Sequence, residues 1–145
     1  PPVQEQYSLV QRVGVESRAG PGSDIDLEED LEDHLAFRTD WLSGKGFRAD
    51  SLRAFYAQGD SMAPRIQDGD ILLVDTASNK IEDGAVYALC YDQHVRVKRL
   101  TWRFDGSLII RSDSPDPAYR DEVVPKHQLN DVNILGRVVW VGGDL

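Results

Sequence analysis

The chain has 145 residues, of which 41% are hydrophobic and 28% charged, and this is enough for one globular domain with its own core. Its 25 acidic and 16 basic side chains give a net charge of -9, so we do not expect it to bind nucleic-acid phosphates directly. The single cysteine, Cys90, excludes an internal disulfide and fits a reducing compartment. No apolar run approaches the ~20 residues of a membrane-spanning helix and no signal peptide is visible, so a cytoplasmic protein without membrane contact is expected.

The first third of the chain contains few regular patterns. Residues 7–15 alternate roughly between apolar and polar side chains, which predicts a strand. Residues 16–23 hold two glycines and a proline and predict an exposed loop. Residues 24–33 contain seven carboxylates without the spacing and turn glycine of a calcium loop, so they indicate a solvated acidic face. A short strand over residues 34–37 and one helical turn over 39–43 are predicted to follow.

From residue 54 onward the pattern is strongly β. Turn signals lie at residues 91–94 and at Asp105-Gly106, a dipeptide typical of tight hairpins. Many short strands at this spacing predict a mostly β, compact fold of short twisted sheets, either a sandwich or a partial barrel, with little helix. The strands are predicted at residues 53–58, 70–75, 85–92, 94–103, 107–112 and 134–141.

Ser61 lies at a turn between two apolar segments, where a nucleophile would be accessible. A serine needs a base, and nothing in the sequence places one of the three histidines beside it; the Gly-x-Ser-x-Gly elbow of the hydrolases is also absent. Lys98 is an alternative base, because it follows valines in a predicted strand and partial burial lowers a lysine pKa from about 10.4. We therefore predict that Ser61 and Lys98 meet as nucleophile and base.

The same residues also have a purely structural interpretation. Ser61 fits a turn or helix N-cap, and Lys98 fits an exposed strand lysine. Met62 is interpreted as a packing residue, and the aromatic side chains of Trp102, Phe104 and Trp140 as core or dimer surface. The residues by themselves leave the catalytic and structural interpretations of Ser61 and Lys98 open.

Four motifs, taken in order, resemble the C-terminal domain of LexA and the lambda-type phage repressors. This is the Ser/Lys self-cleaving, S24-like peptidase family that also includes UmuD. The similarity covers about residues 54–142. The motifs are Gly59-Asp60-Ser61-Met62, Asp68-Gly69-Asp70-Ile71-Leu72-Leu73-Val74, Val95-Arg96-Val97-Lys98-Arg99-Leu100 and Ile134-Leu135-Gly136-Arg137-Val138.

The resemblance implies a self-cleaving site. Ser61 would be the nucleophile, Lys98 the general base, and the backbone N–H groups of Asp60 and Ser61 the oxyanion hole. The scissile bond would be Ala19-Gly20, which is the only Ala-Gly dipeptide in the chain. No metal or cofactor is implied. Residues 1–23 would then form an arm with the cleavage-site loop, and residues 24–145 the catalytic and dimerisation domain.

The resemblance also implies partners. The chain is expected to be the homodimeric regulatory domain of a phage-type transcriptional repressor that reaches operator DNA only through an N-terminal helix-turn-helix domain absent from this chain. Its inducer would be a RecA filament on single-stranded DNA, as in the SOS response, or an anti-repressor. The alternatives are a non-cleaving dimerisation or anti-repressor-binding module and a UmuD-like polymerase accessory protein. A signal-peptidase-like enzyme would need a membrane anchor, which the sequence does not offer.

Overall fold

A computed structural model describes residues 6–17, 25–78, 80–91 and 94–145. Among these residues, helix α1 spans Thr39–Lys45, and two short 3-10 helices span Ala49–Ser51 and Lys126–Asp131. The described residues form nine strands: β1 (Tyr7–Ser17), β2 (Ile25–Arg38), β3 (Leu52–Tyr56), β4 (Ile71–Asp75), β5 (Val86–Tyr91), β6 (His94–Trp102), β7 (Leu108–Arg111), β8 (Glu122–Val124) and β9 (Asn133–Gly142).

All nine of these strands belong to one hydrogen-bonded sheet, in the order β2-β1-β3-β4-β9-β5-β6-β7-β8. Neighbouring strands are antiparallel except β1 and β3, which run parallel. The prediction of a mostly β, compact fold with little helix is confirmed, and the short strands are joined edge to edge in a single mixed sheet.

The middle of the sheet is formed by the most apolar strands. Leu72, Leu73 and Val74 of β4 are fully buried, which fits an uninterrupted apolar run covered on both faces. Gly136 of β9 lies so close to β4 that a side chain there would overlap the Asp75 carbonyl. This close approach explains the glycine in the fourth sequence motif.

The acidic segment is the main correction to the predicted secondary structure. A strand was expected only over residues 34–37, whereas β2 runs from Ile25 to Arg38 and pairs with β1 along its length, with one irregularity in register. Ile25 and Leu27 alternate with acidic residues, which is a strand pattern that the density of charge obscures. A partner strand supplies the backbone hydrogen bonds, so the carboxylates do not prevent a strand.

The helix α1 closes one end of the sheet. It ends at Gly46, whose φ of 78° is left-handed, and the Phe47 N–H bonds back to the Leu42 carbonyl. Trp41 packs against Phe37 and Trp140, so Trp140 is partly buried against the core. Among the described residues, no helix is long and apolar enough to cross a membrane.

The β6–β7 hairpin turns at Asp105-Gly106 as predicted, and Gly106 has a φ of 86°. Phe104 at this turn is fully exposed and Trp102 is 38% exposed, so both belong to the surface. The short strand β8 was not predicted, because three residues after a proline-rich loop give too weak a pattern.

Candidate functional site

Ser61 stands on a tight turn that follows β3. Two buried side chains, Met62 and Ile66, anchor this turn in an apolar cluster with Leu72, and Ser61 itself stays half-buried. Gly59 has a φ of 81°, and its N–H donates to the Asp68 carboxylate at 2.7 Å. The sequence around Ser61 therefore builds a rigid turn that presents the serine at the surface.

The backbone beside Ser61 has unused hydrogen-bond donors. Within the described part of the chain, the N–H groups of Asp60 and Ser61 have no acceptor, whereas the Ala63 N–H donates to the Asp60 carbonyl at 3.0 Å. Two adjacent free N–H groups at a turn can bind a negatively charged oxygen. This is the backbone expected to form the oxyanion hole.

Lys98 is buried in β6, with only 8% of its surface exposed. Its Nζ donates a hydrogen bond to the Ser112 Oγ at 2.6 Å and lies 5.6 Å from the centre of the Tyr119 ring. Burial lowers the pKa of Lys98 below the ordinary value of 10.5, and the charge of Arg96 lowers it further, while Glu122 acts in the opposite direction. A lysine with a lowered pKa is the kind that can accept a proton.

The structure brings Ser61 and Lys98 onto the wall of one cleft of about 750 Å³. Arg12 and Val13 of β1 line the same cleft, together with Tyr56 of β3. The Ser61 and Lys98 side chains do not hydrogen-bond to each other. Catalytic hydrogen bonds are often loose before substrate binds, so this geometry is compatible with a nucleophile and base awaiting a substrate.

Three consecutive residues after β7 connect the two halves of the site, and the sequence analysis missed them. The Ser112 hydroxyl contacts Lys98, the Asp113 N–H donates to the Met62 sulfur at 3.4 Å, and the Ser114 N–H donates to the Ser61 carbonyl at 3.0 Å. We call residues 112–114 the bridging segment. It links the turn that carries Ser61 to β6, which carries Lys98.

The Asp105-Gly106 hairpin contained a signal for this segment. Trp102 pairs with Leu108 and Arg99 with Arg111 across β6 and β7. Continuing that register by one residue places Ser112 opposite Lys98. A two-residue turn at Asp105-Gly106 would instead place Asp113 opposite Lys98, so the predicted hairpin locates this segment only to within one residue, and the observed three-residue loop 104–106 decides the partner.

An ion pair fixes the bridging segment to β6. Arg99 donates to both oxygens of the Asp113 carboxylate, at 2.8 and 2.7 Å, and its third nitrogen donates to the Gly84 carbonyl. This hydrogen bonding to Asp113 raises the pKa of Arg99. Asp113 is thus a structural anchor beside Lys98.

The predicted scissile bond, Ala19-Gly20, lies outside the described residues. The strands on either side of it are described, and Ser17 pairs with Ile25 where β1 and β2 meet residues 18–24. Val13 of β1 lies on the cleft six positions before Ala19. No group of three His, Cys, Asp or Glu side chains in the described ranges is arranged to hold a metal ion.

Comparison with known proteins gives the family. The sequence profile of the peptidase S24-like family matches residues 13–139, so the chain belongs to this family. The match confirms the resemblance to LexA and the phage repressors, and it begins well before residue 54, where the resemblance was expected to start.

Three curated relatives are transcriptional regulators. The chain is 36% identical over 115 residues to repressor protein CI of Enterobacteria phage phi80, covering 75% of the chain and 47% of the relative. It is 35% identical over 130 residues to the HTH-type transcriptional regulator PrtR of Pseudomonas aeruginosa, covering 87% and 49%. It is 30% identical over 104 residues to an uncharacterized HTH-type transcriptional regulator of Haemophilus influenzae, covering 72% and 43%. The chain thus spans about half or less of the length of these relatives.

Proposed function

We propose that this chain is the regulatory domain of a phage-type transcriptional repressor and cleaves itself between Ala19 and Gly20. The observation that carries the proposal is that Ser61 and the buried Lys98 line one cleft with β1, the strand leading into residues 18–24. Membership of the S24-like family and the repressor relatives support it.

The chain itself delivers the substrate in this proposal. Val13 lines the cleft, and Ala19, six positions further along the chain, lies at most about 20 Å from it even when the chain is extended. The scissile bond is therefore tethered close to Ser61, and an intramolecular reaction gains a high effective concentration without a binding step. Small residues at positions 19 and 20 allow the backbone to approach a nucleophile closely.

The reaction follows from the chemistry of the side chains. Neutral Lys98 accepts the Ser61 proton as the Ser61 oxygen bonds to the Ala19 carbonyl carbon, and the N–H groups of Asp60 and Ser61 bind the oxyanion. The bond from Ala19 to the Gly20 nitrogen breaks, and Lys98 returns its proton to the new amine. Water, deprotonated by Lys98, then hydrolyses the ester and frees Ser61.

Regulation and partners extend the proposal to the full-length protein. We infer a homodimer that gives the repressor the two-fold symmetry of an operator, with DNA contacts made by an N-terminal helix-turn-helix domain. Cleavage would separate dimerisation from DNA binding and remove the avidity of the linked sites. A RecA filament or an anti-repressor would act by favouring the cleavage-competent state of the chain.

One observation favours a second candidate, a non-cleaving repressor module. The Lys98 amine bonds to Ser112 and not to Ser61. If the Ser61 hydroxyl stayed out of hydrogen-bond reach of the Lys98 amine with residues 18–24 in the cleft, the lysine could not act as its base. The site would then keep its shape without its activity.

The test is self-cleavage of the purified chain at pH 7 to 10, followed by intact mass. The proposal expects two fragments split between Ala19 and Gly20, and none from Ser61→Ala or Lys98→Ala. Ser43→Ala and Lys45→Ala change a serine and a lysine on α1, away from the cleft, and should cleave like the unaltered chain. An intact chain throughout this pH range would favour the non-cleaving module.

A further inference from the structure

Ser112 accepts a hydrogen bond from the amine that the proposed reaction uses as its base. The contact is short, 2.6 Å, and Ser112 is half-buried at the cleft wall. We propose that Ser112 is a positioning residue that holds the Lys98 amine in its reactive orientation. This inference rests on the proposed self-cleavage.

The backbone gives Ser112 a fixed place relative to both reacting groups. It continues the β6–β7 register, and the next two residues bond to Met62 and to the Ser61 carbonyl. Asp113 is tied to Arg99 by two hydrogen bonds. The Ser112 hydroxyl is therefore held between the nucleophile turn and the base strand by contacts that do not depend on its own side chain.

A neutral amine explains why such a partner matters. It has two N–H groups and one lone pair, and it rotates freely about the Cε–Nζ bond unless something restrains it. A hydrogen bond from one N–H to Ser112 restrains that rotation and leaves the lone pair for the Ser61 proton. Misplacing a reacting group by about 1 Å can cost roughly 100-fold in rate, so this restraint has catalytic value.

The same contact has an opposing effect on the lysine pKa. A charged ammonium donates a stronger hydrogen bond than a neutral amine, so Ser112 favours the charged form of Lys98. Loss of the Ser112 hydroxyl should therefore lower both the maximal cleavage rate and the pH midpoint of the reaction. A residue that only stabilises the fold would lower the rate without moving the midpoint.

Other charged groups around Lys98 are unchanged in such a comparison. Arg96 lies on its own strand and Glu122 on β8, and both act on the Lys98 pKa. Tyr119 lies over the amine, and the remaining titratable groups on the cleft wall are Arg12, Tyr56, Asp60, His94 and Arg120. Because each variant below alters only position 112 or a remote serine, a shifted midpoint reports on the Ser112 contact.

The experiment measures self-cleavage rate against pH for the unaltered chain, Ser112→Ala, Ser112→Thr and Ser78→Ala. Ser112→Ala should lower the plateau by about 10- to 100-fold and move the midpoint to lower pH. Ser112→Thr keeps the hydroxyl, so its plateau rate and its pH midpoint should both be close to those of the unaltered chain. Ser78→Ala changes a half-buried serine outside the cleft and should match the unaltered chain.

A second measurement separates this inference from the proposed function. The Lys98 pKa is followed by carbon NMR of the Cε atom in Ser61→Ala, which cannot cleave, with and without Ser112→Ala. A lower pKa in the double variant supports the contact, and an unchanged pKa with an unchanged plateau overturns the positioning role. If the unaltered chain never cleaves, both the proposed self-cleavage and the role of Ser112 in it are wrong. If the chain cleaves equally well without the Ser112 hydroxyl, the self-cleavage stands and only the role of Ser112 is wrong.

Discussion

The Tyr119 hydroxyl donates a hydrogen bond to the carboxylate of Asp60, the residue before Ser61. The ring of the same tyrosine lies 5.6 Å from the Lys98 amine. The side chain of Tyr119 thus contacts both Lys98 and Asp60, the residue before Ser61. The bond to Asp60 raises the pKa of Tyr119, so the phenol keeps its proton and continues to donate as the pH rises.

Two substitutions separate these roles of Tyr119. Tyr119→Phe removes only the bond to Asp60, and we expect a several-fold slower cleavage with a midpoint near that of the unaltered chain. Tyr119→Leu also removes the aromatic face that favours a charged amine, so the midpoint should move to lower pH. Cleavage rates between pH 7 and 10 distinguish the two, and an equal midpoint shift in both variants would show that the ring has no influence on Lys98.

The lowered pKa of Lys98 sets the direction of the pH profile. The protonated lysine cannot accept a proton, so cleavage should rise with pH and level off above a midpoint below 10.5, the ordinary lysine value. Lys98→Arg should be inactive at every pH tested, because a guanidinium is not deprotonated in this range. Lys45→Arg on α1 serves as the control. A cleavage rate that does not depend on pH, or cleavage by the Lys98→Arg variant, would contradict the proposal that Lys98 is the base.

The Arg99–Asp113 ion pair should stabilise the fold more than the Arg111–Asp121 ion pair does. Their side chains are 33% and 16% exposed, against 46% and 44% for the comparable Arg111–Asp121 pair. Double-mutant cycles with alanine, measured by urea unfolding, should give a coupling of about 1–2 kcal/mol for the first pair. The more exposed pair should give less than about 1 kcal/mol. Equal couplings would mean that burial does not strengthen the anchor of the bridging segment.

Gly136 should tolerate no side chain. A Cβ there would overlap the Asp75 carbonyl oxygen and lie 2.8 Å from the Val74 Cγ1 atom. Since both neighbours belong to β4, which is paired on both sides and cannot easily move away, Gly136→Ala should lower the free energy of unfolding by about 2 kcal/mol or more. Gly44→Ala on α1 meets open space and should raise it by about 0.5–1 kcal/mol. Chemical denaturation of both variants measures the two changes in the free energy of unfolding, which should have opposite signs.

The secondary structure was predictable where the pattern was local. Six strands from residue 53 onward were expected close to their observed bounds, because apolar runs and turn dipeptides lie next to each other in the chain. The length of β2 was not predicted, because this acidic segment forms a strand through its pairing with β1. The parallel pairing of β1 with β3 was also not predictable from a local pattern, because it joins segments about forty residues apart.

The mostly β class, the residues of the Ser61 and Lys98 motifs and their likeness to the S24-like family can all be recognised in the amino-acid sequence. These are properties of short segments and of their order along the chain. Only the tertiary structure decided that Lys98 is buried, that its amine meets Ser112, and that residues 112–114 join it to the Ser61 turn. Burial and hydrogen-bond partners depend on strand register and on packing between distant segments, and no local pattern of residues specifies them.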